Sequence, residues 1–441
     1  MEALEKRFAL AAHGTTVRTE VLAGVTTFLT MAYILFVQPA VMSEAGLDFG
    51  AVLTATCLAS ATATTLMALL ANYPIAVAPA MGHNFFFAYS VVIGMHVPWP
   101  IALGAVAVAG AIFVLTAGVG VRERLITAIP DSLKHAIAAG IGLLIAMIGL
   151  EWAGLVVAAP GTLVTLGNLH DRAVLLSIAG LAATSVLMAR RVPGAVLWGI
   201  LATAALALPL GIARYQGVAA WPPSLAPTAF RLNVAGAFAP GMAAVIFVFF
   251  LLALFDSVGT LVGVGAQAGL MRDGTLPRAR QALLADAVGT LIGAILGTST
   301  VTAYVESGAG VAAGGRTGLS SLVTAALFLL SLFLYPLVRT IGGGYAAGPT
   351  TRYPVIAPPL IVIGTMMIGG LRHVAWEEPS EAIPAFLTVA LMPLTASITD
   401  GIAFGLVAFV VLKVAVGRRR EVHPLVAAFA LALVARYMWL R

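Results

Sequence analysis

Charged residues and cysteine are both scarce in this chain of 441 residues. Only 10% of its residues are charged, against roughly a quarter in soluble proteins, and 61% are hydrophobic. This composition excludes a soluble cytoplasmic enzyme. A single cysteine, Cys57, excludes a disulfide framework, a multi-cysteine metal site and an iron–sulfur cluster. The sequence also lacks a Walker-type phosphate loop, HExxH and GxSxG, so neither ATP hydrolysis nor membrane proteolysis has support.

Apolar runs of about 20 residues are the abundant feature, and this length carries a helix across roughly 30 Å of hydrocarbon. They predict an all-α polytopic membrane protein with about 14 transmembrane spans. The N-terminal stretch has no signal-peptide pattern, so the first span is expected to target the chain. The predicted spans lie near 20–42, 51–71, 76–94, 99–119, 133–150, 171–189, 193–211, 241–268, 281–297, 300–314, 317–338, 354–371, 383–416 and 423–439.

The net charge of +6 comes from basic residues that lie mostly between the predicted spans, so no nucleic-acid partner is expected. Arg190 and Arg191 follow span 6, and Arg278 and Arg280 follow span 8, whereas the 44–48 loop contains no lysine or arginine. The positive-inside rule therefore predicts a cytoplasmic N-terminus in the cell (inner or plasma) membrane. The arginines at 418–420 conflict with this arrangement unless 383–416 crosses twice around 397–401, and the sequence leaves that point open.

A proline-rich segment without an apolar run, 214–240, divides the chain. The predicted domains are a first seven-span repeat at 1–212, an extramembrane connector at 213–240 and a second seven-span repeat at 241–441. Because seven is odd, the two repeats must have opposite orientations in the bilayer. Inverted repeats of this kind are a transporter architecture.

The third span of each half, that is spans 3 and 10, is unsuited to an uninterrupted helix. Residues 74–79 carry two prolines and lead into Met-Gly-His-Asn, and residues 298–302 are β-branched or hydroxylated and lead into Tyr-Val-Glu-Ser-Gly. Each pattern predicts an extended piece followed by a half-helix. Non-helical backbone at membrane depth must be buried in protein or line a polar cavity, so a substrate site is predicted at these two breaks.

Three polar residues within the predicted spans are the main site candidates. Asp256 is the carboxylate in an otherwise apolar run, Glu306 follows the second break, and Asn84 occupies the matching place in the first half. An ionisable group inside a span is costly and indicates function by default. The alternative is structural: a carboxylate bonded to a neighbouring helix, or an asparagine that caps or packs a helix.

Aromatic residues surround these candidates in sequence, among them Phe85, Phe255 and Tyr304. Acceptors at the edge and aromatic surfaces on the faces suit a planar heterocycle with ring N–H groups. The same aromatics could equally be bulk that faces lipid. The two acids disfavour an anionic substrate.

Three further residues have open roles. Asp286 could cap its helix or hold the 298–302 turn, and Asp400 marks a break in the long span 383–416, as a hinge or gate or as a structural residue. His83 is either a packing histidine or a titratable group that takes part in proton movement. No metal site and no cofactor are predicted.

Seven stretches together carry a specific resemblance over nearly the whole chain. The sequence resembles the AzgA-like (azaguanine–hypoxanthine–adenine) purine permeases of the nucleobase–cation symporter group. The matching stretches are TEVLAGVTTFLTMAY at 19–33, APAMGHN at 78–84, FDSVGTL at 255–261, ADAVGT at 285–290, TSTVTAYVES at 298–307, GGRTGL at 314–319 and MPLT at 392–395.

This resemblance implies a core domain, 20–119 plus 241–338, and a gate domain, 131–211 plus 354–439. It also implies that the base binds between the half-helices of spans 3 and 10, on Asp256, Glu306 and Asn84, with a gate-region acid at Asp400. His83 stands where many relatives carry an apolar residue, so the preferred purine is left open. Thr260 stands where related uracil and sugar-acid carriers place a histidine.

The leading hypothesis is a secondary importer of purine nucleobases (adenine, guanine or hypoxanthine) coupled to H⁺, with Asp256 and Glu306 as the candidate coupling groups. The expected partners are the purine, membrane lipid and a second copy of the chain bound through the gate domains. The alternatives are an anion transporter of the same fold and a uracil- or xanthine-type carrier. Glycine faces, including Gly142 and Gly364, are expected to let the core and gate bundles slide past each other.

Overall fold

The computed structural model describes residues 2–119, 130–272, 275–347 and 350–439. Within these ranges, nine helices are long and apolar enough to cross a membrane, and shorter apolar helices accompany them. The all-α polytopic class predicted from the apolar runs is therefore confirmed.

The described residues of the first half, 2–119 and 130–212, form nine α-helices and three strands. The helix bounds are α1 (Glu2–Phe8), α2 (Val17–Met31), α3 (Ile34–Glu44), α4 (Phe49–Leu66), α5 (Met81–Phe85), α6 (Trp99–Val119), α7 (Asp131–Trp152), α8 (Arg172–Ala189) and α9 (Ala195–Ala207), and the strands are β1 (Val77–Pro79), β2 (Val156–Ala159) and β3 (Leu163–Leu166). Wider π-helical turns, Met67–Ala71 and Phe86–Gly94, extend α4 and α5.

The second half mirrors this order. Its helices are α10 (Met242–Gln267), α11 (Ala279–Leu296), α12 (Ser307–Ala312), α13 (Gly318–Ser331), α14 (Tyr335–Gly342), α15 (Ala357–Ile368), α16 (Pro379–Thr395), α17 (Ile398–Ala415) and α18 (Pro424–Trp439), and its strands are β4 (Val301–Ala303), β5 (Tyr345–Ala347) and β6 (Thr350–Arg352). Short 3₁₀ turns lie at Ala11–His13, Gly236–Phe238, Leu332–Leu334, Gly369–His373 and Arg419–Glu421.

Both predicted breaks are present, each as a short strand followed by a short helix. β1 and β4 pair antiparallel, with Ala78 opposite Thr302, so the two broken spans meet at their extended segments. The strands are fully buried and satisfy their backbone groups through each other, as non-helical backbone inside a membrane must.

A threonine from the preceding helix supports each strand in the same way. On α4, the Thr64 hydroxyl donates to the Val77 carbonyl at 3.0 Å and accepts from the Val77 N–H at 2.9 Å. On α11, the Thr290 hydroxyl donates to the Val301 carbonyl at 2.8 Å. This repeated contact relates the two halves.

The stretch 383–416 forms two helices rather than one long span, so of the two arrangements that the sequence leaves open the structure shows the one with a turn near 397–401. Helix α16 ends at Ala396, whose φ of +50° turns the chain back, and α17 then packs along α16. Ion pairs join the open end: Glu378 to Arg418 at 3.2 Å and Glu381 to Lys413 at 2.8 Å. The arginines at 418–420 therefore lie at the same end of this hairpin as Glu378, which removes the conflict in charge distribution.

Candidate functional site

The candidate site is the exposed face of α10 where this helix packs beside β4 and α12 of the second broken span, and we call this open region the crevice. Asp256 lies on α10 with 48% of its side chain exposed. On the same face of that helix, a side chain at Gly259 or Gly263 would meet no atom within 4 Å. Farther along this face, the Gln267 amide donates to the Gly308 carbonyl of α12 at 3.0 Å. The open face of α10 thus leads from Asp256 towards α12.

Glu306 stands at the start of α12 and faces the first span. The Tyr33 hydroxyl donates to Glu306 Oε1 at 2.7 Å, and the Thr30 hydroxyl donates to the Glu306 carbonyl at 3.3 Å. The neighbouring Val305 is 62% exposed. Glu306 is thus a carboxylate with one oxygen held by a phenol, at the edge of open space.

His83 and Asn84 lie in the half-helix α5, and both side chains are fully buried. His83 Nδ1 is 3.5 Å from Asp256 Oδ2, which joins the first broken span to α10. The Ser299 hydroxyl donates to Asn84 Oδ1, and the Gln38 amide lies behind it, 2.9 Å from the Thr298 hydroxyl and 3.4 Å from that of Ser299. Neither His83 nor Asn84 has surface on the crevice in this structure.

The three aromatic candidates take different places. Phe85 is fully buried and stacks on Tyr89, with ring centroids 5.8 Å apart, while Phe255 is only partly buried beside Asp256. The Tyr304 hydroxyl donates to the Pro79 carbonyl at 2.5 Å and so ties the two broken spans together. Of the three, Phe255 has the most accessible position next to an acid.

Asp286, Asp400 and Thr260 lie farther from the crossing strands. Ser257 donates to Asp286, which joins α10 to α11, and the 298–302 turn is held by Thr290 instead. Asp400 lies in the first turn of α17, where Ser397 caps the helix and the Tyr437 hydroxyl donates to the carboxylate. Thr260 is partly exposed one turn after Asp256. These contacts give Asp286 a bridging role and place Asp400 at the hairpin tip.

Sequence reasoning missed three residues that the structure places in supporting roles. Tyr33 holds Glu306, and Gln38 stands behind Ser299. Glu20 is fully buried and accepts from the backbone N–H groups of Arg316, Thr317 and Ser320, so it caps the start of α13. Glu20 and Tyr33 belong to the 19–33 stretch. The sequence signal that could have identified Glu20 is an acidic residue at the start of an apolar span.

A cluster of aromatic and acidic side chains joins the end of α3, the π-helical turn after α5, the end of α7 and the residue after β6. The Tyr353 hydroxyl donates to Glu44 Oε1 at 2.5 Å, and the Trp152 indole donates to the Tyr89 hydroxyl at 3.0 Å. The rings of Trp152 and Tyr353 lie 4.2 Å apart. We call these four residues the aromatic seal.

No group of three or more His, Cys, Asp or Glu residues in the described ranges is arranged to hold a metal ion. Two broken spans that cross at short strands, with an accessible acid beside them, define a secondary-transporter site. The chain belongs to the Permease family, whose model matches residues 18–404. That membership identifies a transporter rather than an enzyme.

Relatives match the chain over almost its full length. It is 45% identical over 440 residues to the guanine/hypoxanthine permease PbuG of Bacillus subtilis, covering 97% of this chain and 98% of the relative. It is 44% identical over 438 residues to the adenine permease AdeP of Escherichia coli, covering 99% of this chain and 96% of the relative. These matches confirm the resemblance to purine permeases.

Among solved structures, the transmembrane domain of the cyanobacterial bicarbonate transporter BicA matches with a TM-score of 0.63. The match has 16% sequence identity and covers 89% of this chain and 97% of that domain. At this identity the likeness shows the fold alone, and it confirms the inverted-repeat transporter architecture. The curated relatives carry the functional argument.

Proposed function

We propose that this protein imports purine nucleobases: adenine, guanine or hypoxanthine. The support from sequence is full-length identity of 44–45% to permeases named for these bases. The structural observation that carries the proposal is the half-exposed Asp256 beside the crossing of the two broken spans, with Glu306 at the edge of the same open region. Localisation in the cell membrane with a cytoplasmic N-terminus follows from the positive-inside pattern.

Two carboxylates suit a purine because its edge presents ring and amine N–H donors. Asp256 has an exposed side chain that can accept such bonds, and Glu306 has a second oxygen beyond the one that Tyr33 holds. Phe255, next to Asp256, supplies an aromatic surface for the face of the base. Asn84 and His83 lie behind this surface and contribute by holding the acids and strands.

H⁺ is the proposed coupling ion, carried by Asp256 or Glu306. A carboxylate that is exposed to one side of the membrane at a time can exchange its proton with that side, which links proton and substrate movement. No cofactor enters this scheme.

Movement of a core domain against a gate domain is the proposed route of transport. The core comprises 20–119 and 241–338, and the gate comprises 131–211 and 354–439. The aromatic seal links Tyr89 of this core to Trp152 of this gate, and Glu44 of the core to Tyr353, the residue just before the second gate segment. Movement of the core against the gate would break those two hydrogen bonds. A homodimer through the gate domains completes the proposal.

The alternatives are an anion carrier and a uracil- or xanthine-type carrier. The likeness to a bicarbonate transporter concerns the fold alone and gives no evidence for a bicarbonate substrate here. An exposed carboxylate at the site repels an anion. Named relatives at 44–45% identity favour adenine, guanine and hypoxanthine over the other bases.

Uptake of radiolabelled purines into cells that lack their own purine carriers tests the proposal, with unlabelled bases and bicarbonate as competitors. We expect saturable uptake that a protonophore abolishes. Asp256→Asn should exchange base across the membrane without concentrating it. Competition by bicarbonate or uracil but not by purines would overturn the substrate assignment, and protonophore-resistant accumulation would overturn proton coupling.

A further inference from the structure

His83 occupies a position that the proposed substrate contacts do not explain. Its side chain is fully buried in α5, yet Nδ1 lies 3.5 Å from Oδ2 of Asp256, whose side chain is half exposed on the other side. A base in the crevice can reach Asp256 and cannot reach the imidazole. His83 can therefore affect the substrate only through that carboxylate.

An imidazole in this place can do two things for a carboxylate. Its N–H can donate to the ionised form and fix the direction in which the free oxygen points, or its ring nitrogen can accept the proton of the acid form. Both interactions use the same pair of atoms. A leucine, which resembles histidine in volume, can do neither.

The other titratable groups near Asp256 already have partners of their own. On the second broken span, Tyr304 is bonded to Pro79, and Glu306 is bonded to Tyr33. On α11, Asp286 is bonded to Ser257, and at the hairpin tip Asp400 is bonded to Tyr437. Helix α6, which also packs on α10, contains no titratable residue. Among the described groups, His83 is the one placed to share a proton with Asp256.

We propose that His83 is a positioning residue for Asp256: it orients the carboxylate towards the crevice and sets the pH range in which Asp256 exchanges its proton. The role of His83 in transport rests on the proposed function, because it specifies how Asp256 couples protons to the movement of the base. The interaction itself exists without substrate, so it can be measured on the empty carrier.

Carbodiimide labelling of Asp256 in the purified full-length protein is the decisive experiment. Dicyclohexylcarbodiimide reacts with protonated carboxyl groups, and peptide mass spectrometry separates Asp256 from Glu306. His83→Leu removes the N–H that donates to the ionised carboxylate, so the pH midpoint of Asp256 labelling should rise by about one unit. His83→Asn keeps a short amide at the position of Nδ1, so its midpoint should stay within about half a unit of wild type.

His135→Leu is the matched control, because it removes a histidine that stacks on His373, away from Asp256. Its labelling midpoint should equal that of the wild type. If His83→Leu does not fold, His83→Ala carries the same expectation. A wild-type midpoint in the leucine or alanine variant, or equal shifts in the leucine and asparagine variants, would overturn the positioning role.

The pH profile of purine uptake provides the transport readout. In His83→Leu the profile should move with the labelling midpoint, and in His83→Asn it should stay near wild type. A carrier that takes up no purine while the labelling shifts appear as expected would refute the proposed substrate and leave the His83–Asp256 pair intact. Normal purine uptake without any labelling shift would refute the pair alone.

Discussion

The two broken spans have the same backbone plan but present different surfaces. Each has a strand supported by a threonine from the preceding helix and a short helix after it. In the first half, His83, Asn84 and Phe85 are fully buried. In the second half, Val305 is 62% exposed and Glu306 borders open space. The two halves are thus alike in the threonines that support the strands, Thr64 and Thr290, and differ in the side chains that face the crevice.

This difference suggests a division of labour. The first broken span holds the site together: His83 faces Asp256, and Asn84 accepts from Ser299, two residues before β4. The second broken span supplies Glu306, and the more exposed acid, Asp256, lies on α10 beside it. Substitutions in the two halves should therefore fail in different ways.

The largest effect is expected from Glu306→Gln. An amide replaces one acceptor with a donor that faces the N–H of the base, at a cost of about 1–3 kcal/mol, or roughly 5–150-fold in affinity. Membrane abundance should remain normal. Purine binding to the purified variant measures the loss, and Tyr33→Phe, which removes only the 2.7 Å hydrogen bond to Glu306, should lose less. Wild-type binding by Glu306→Gln would remove this residue from the site.

A matched pair of threonines tests the supports. Thr64 makes two hydrogen bonds to Val77, whereas Thr290 makes one to Val301. Thr64→Val leaves a buried N–H and carbonyl without that partner and should cost about 1–3 kcal/mol, while Thr290→Val should cost about 1 kcal/mol. Thermal unfolding in detergent compares them. Equal losses would show that the two supports are equivalent despite their different bonding.

Much of this organisation follows from sequence because its causes are local. Apolar run length gives the spans, and two prolines or a run of hydroxylated β-branched residues give the breaks. The burial of His83 and Asn84 could not be predicted from local sequence, because it depends on which helix covers α5. The hairpin at Ala396 stayed an open alternative, since the apolar run 383–416 has no charge before Asp400 and only the arginines at 418–420 indicated a turn.

Gly142 packs within the proposed gate domain rather than between the proposed core and the proposed gate. A side chain there would meet Met367 Cβ at 2.6 Å and the Gly364 carbonyl at 2.8 Å, and both belong to α15 of the same proposed gate domain. Gly82 of the first broken span instead faces Ile141 of α7, with 3.0 Å from its added Cβ to Ile141 Cγ2. This contact joins the proposed core to the proposed gate.

A smaller effect is therefore expected from Gly82→Ala, and it should be of a different kind from that of Gly142→Ala. Gly82→Ala should slow turnover several-fold with little change in purine affinity, because it crowds the interface between the proposed core and the proposed gate. Gly142→Ala overpacks a fixed interface and should lower stability by about 1–3 kcal/mol. Transport rate, binding and thermal unfolding on both variants separate the two. Unchanged turnover in Gly82→Ala would contradict the placement of the moving interface.

The smallest effect is expected at the open end of the α16–α17 hairpin. Hydrogen bonding from Ser380 and the nearby Arg418 lower the pKa of Glu378, so the Glu378–Arg418 pair persists until the pH falls below the ordinary range of glutamate. Both side chains are exposed, and Arg418→Met should leave transport and stability near wild type. Lys413→Met, which breaks the pairs to Glu381 and Glu421 from a side chain that is 2% exposed, should destabilise clearly more. Equal effects would contradict this ranking.

The α16–α17 hairpin also bears on how the chain enters the bilayer during synthesis. Its turn at Ala396 and Ser397 carries no charge, and its charged residues Glu378, Glu381, Lys413 and Arg418 meet at one end. Two helices linked in this way can be inserted together, tip first, without moving any lysine or arginine through the hydrocarbon. The two helices can thus be integrated as one unit.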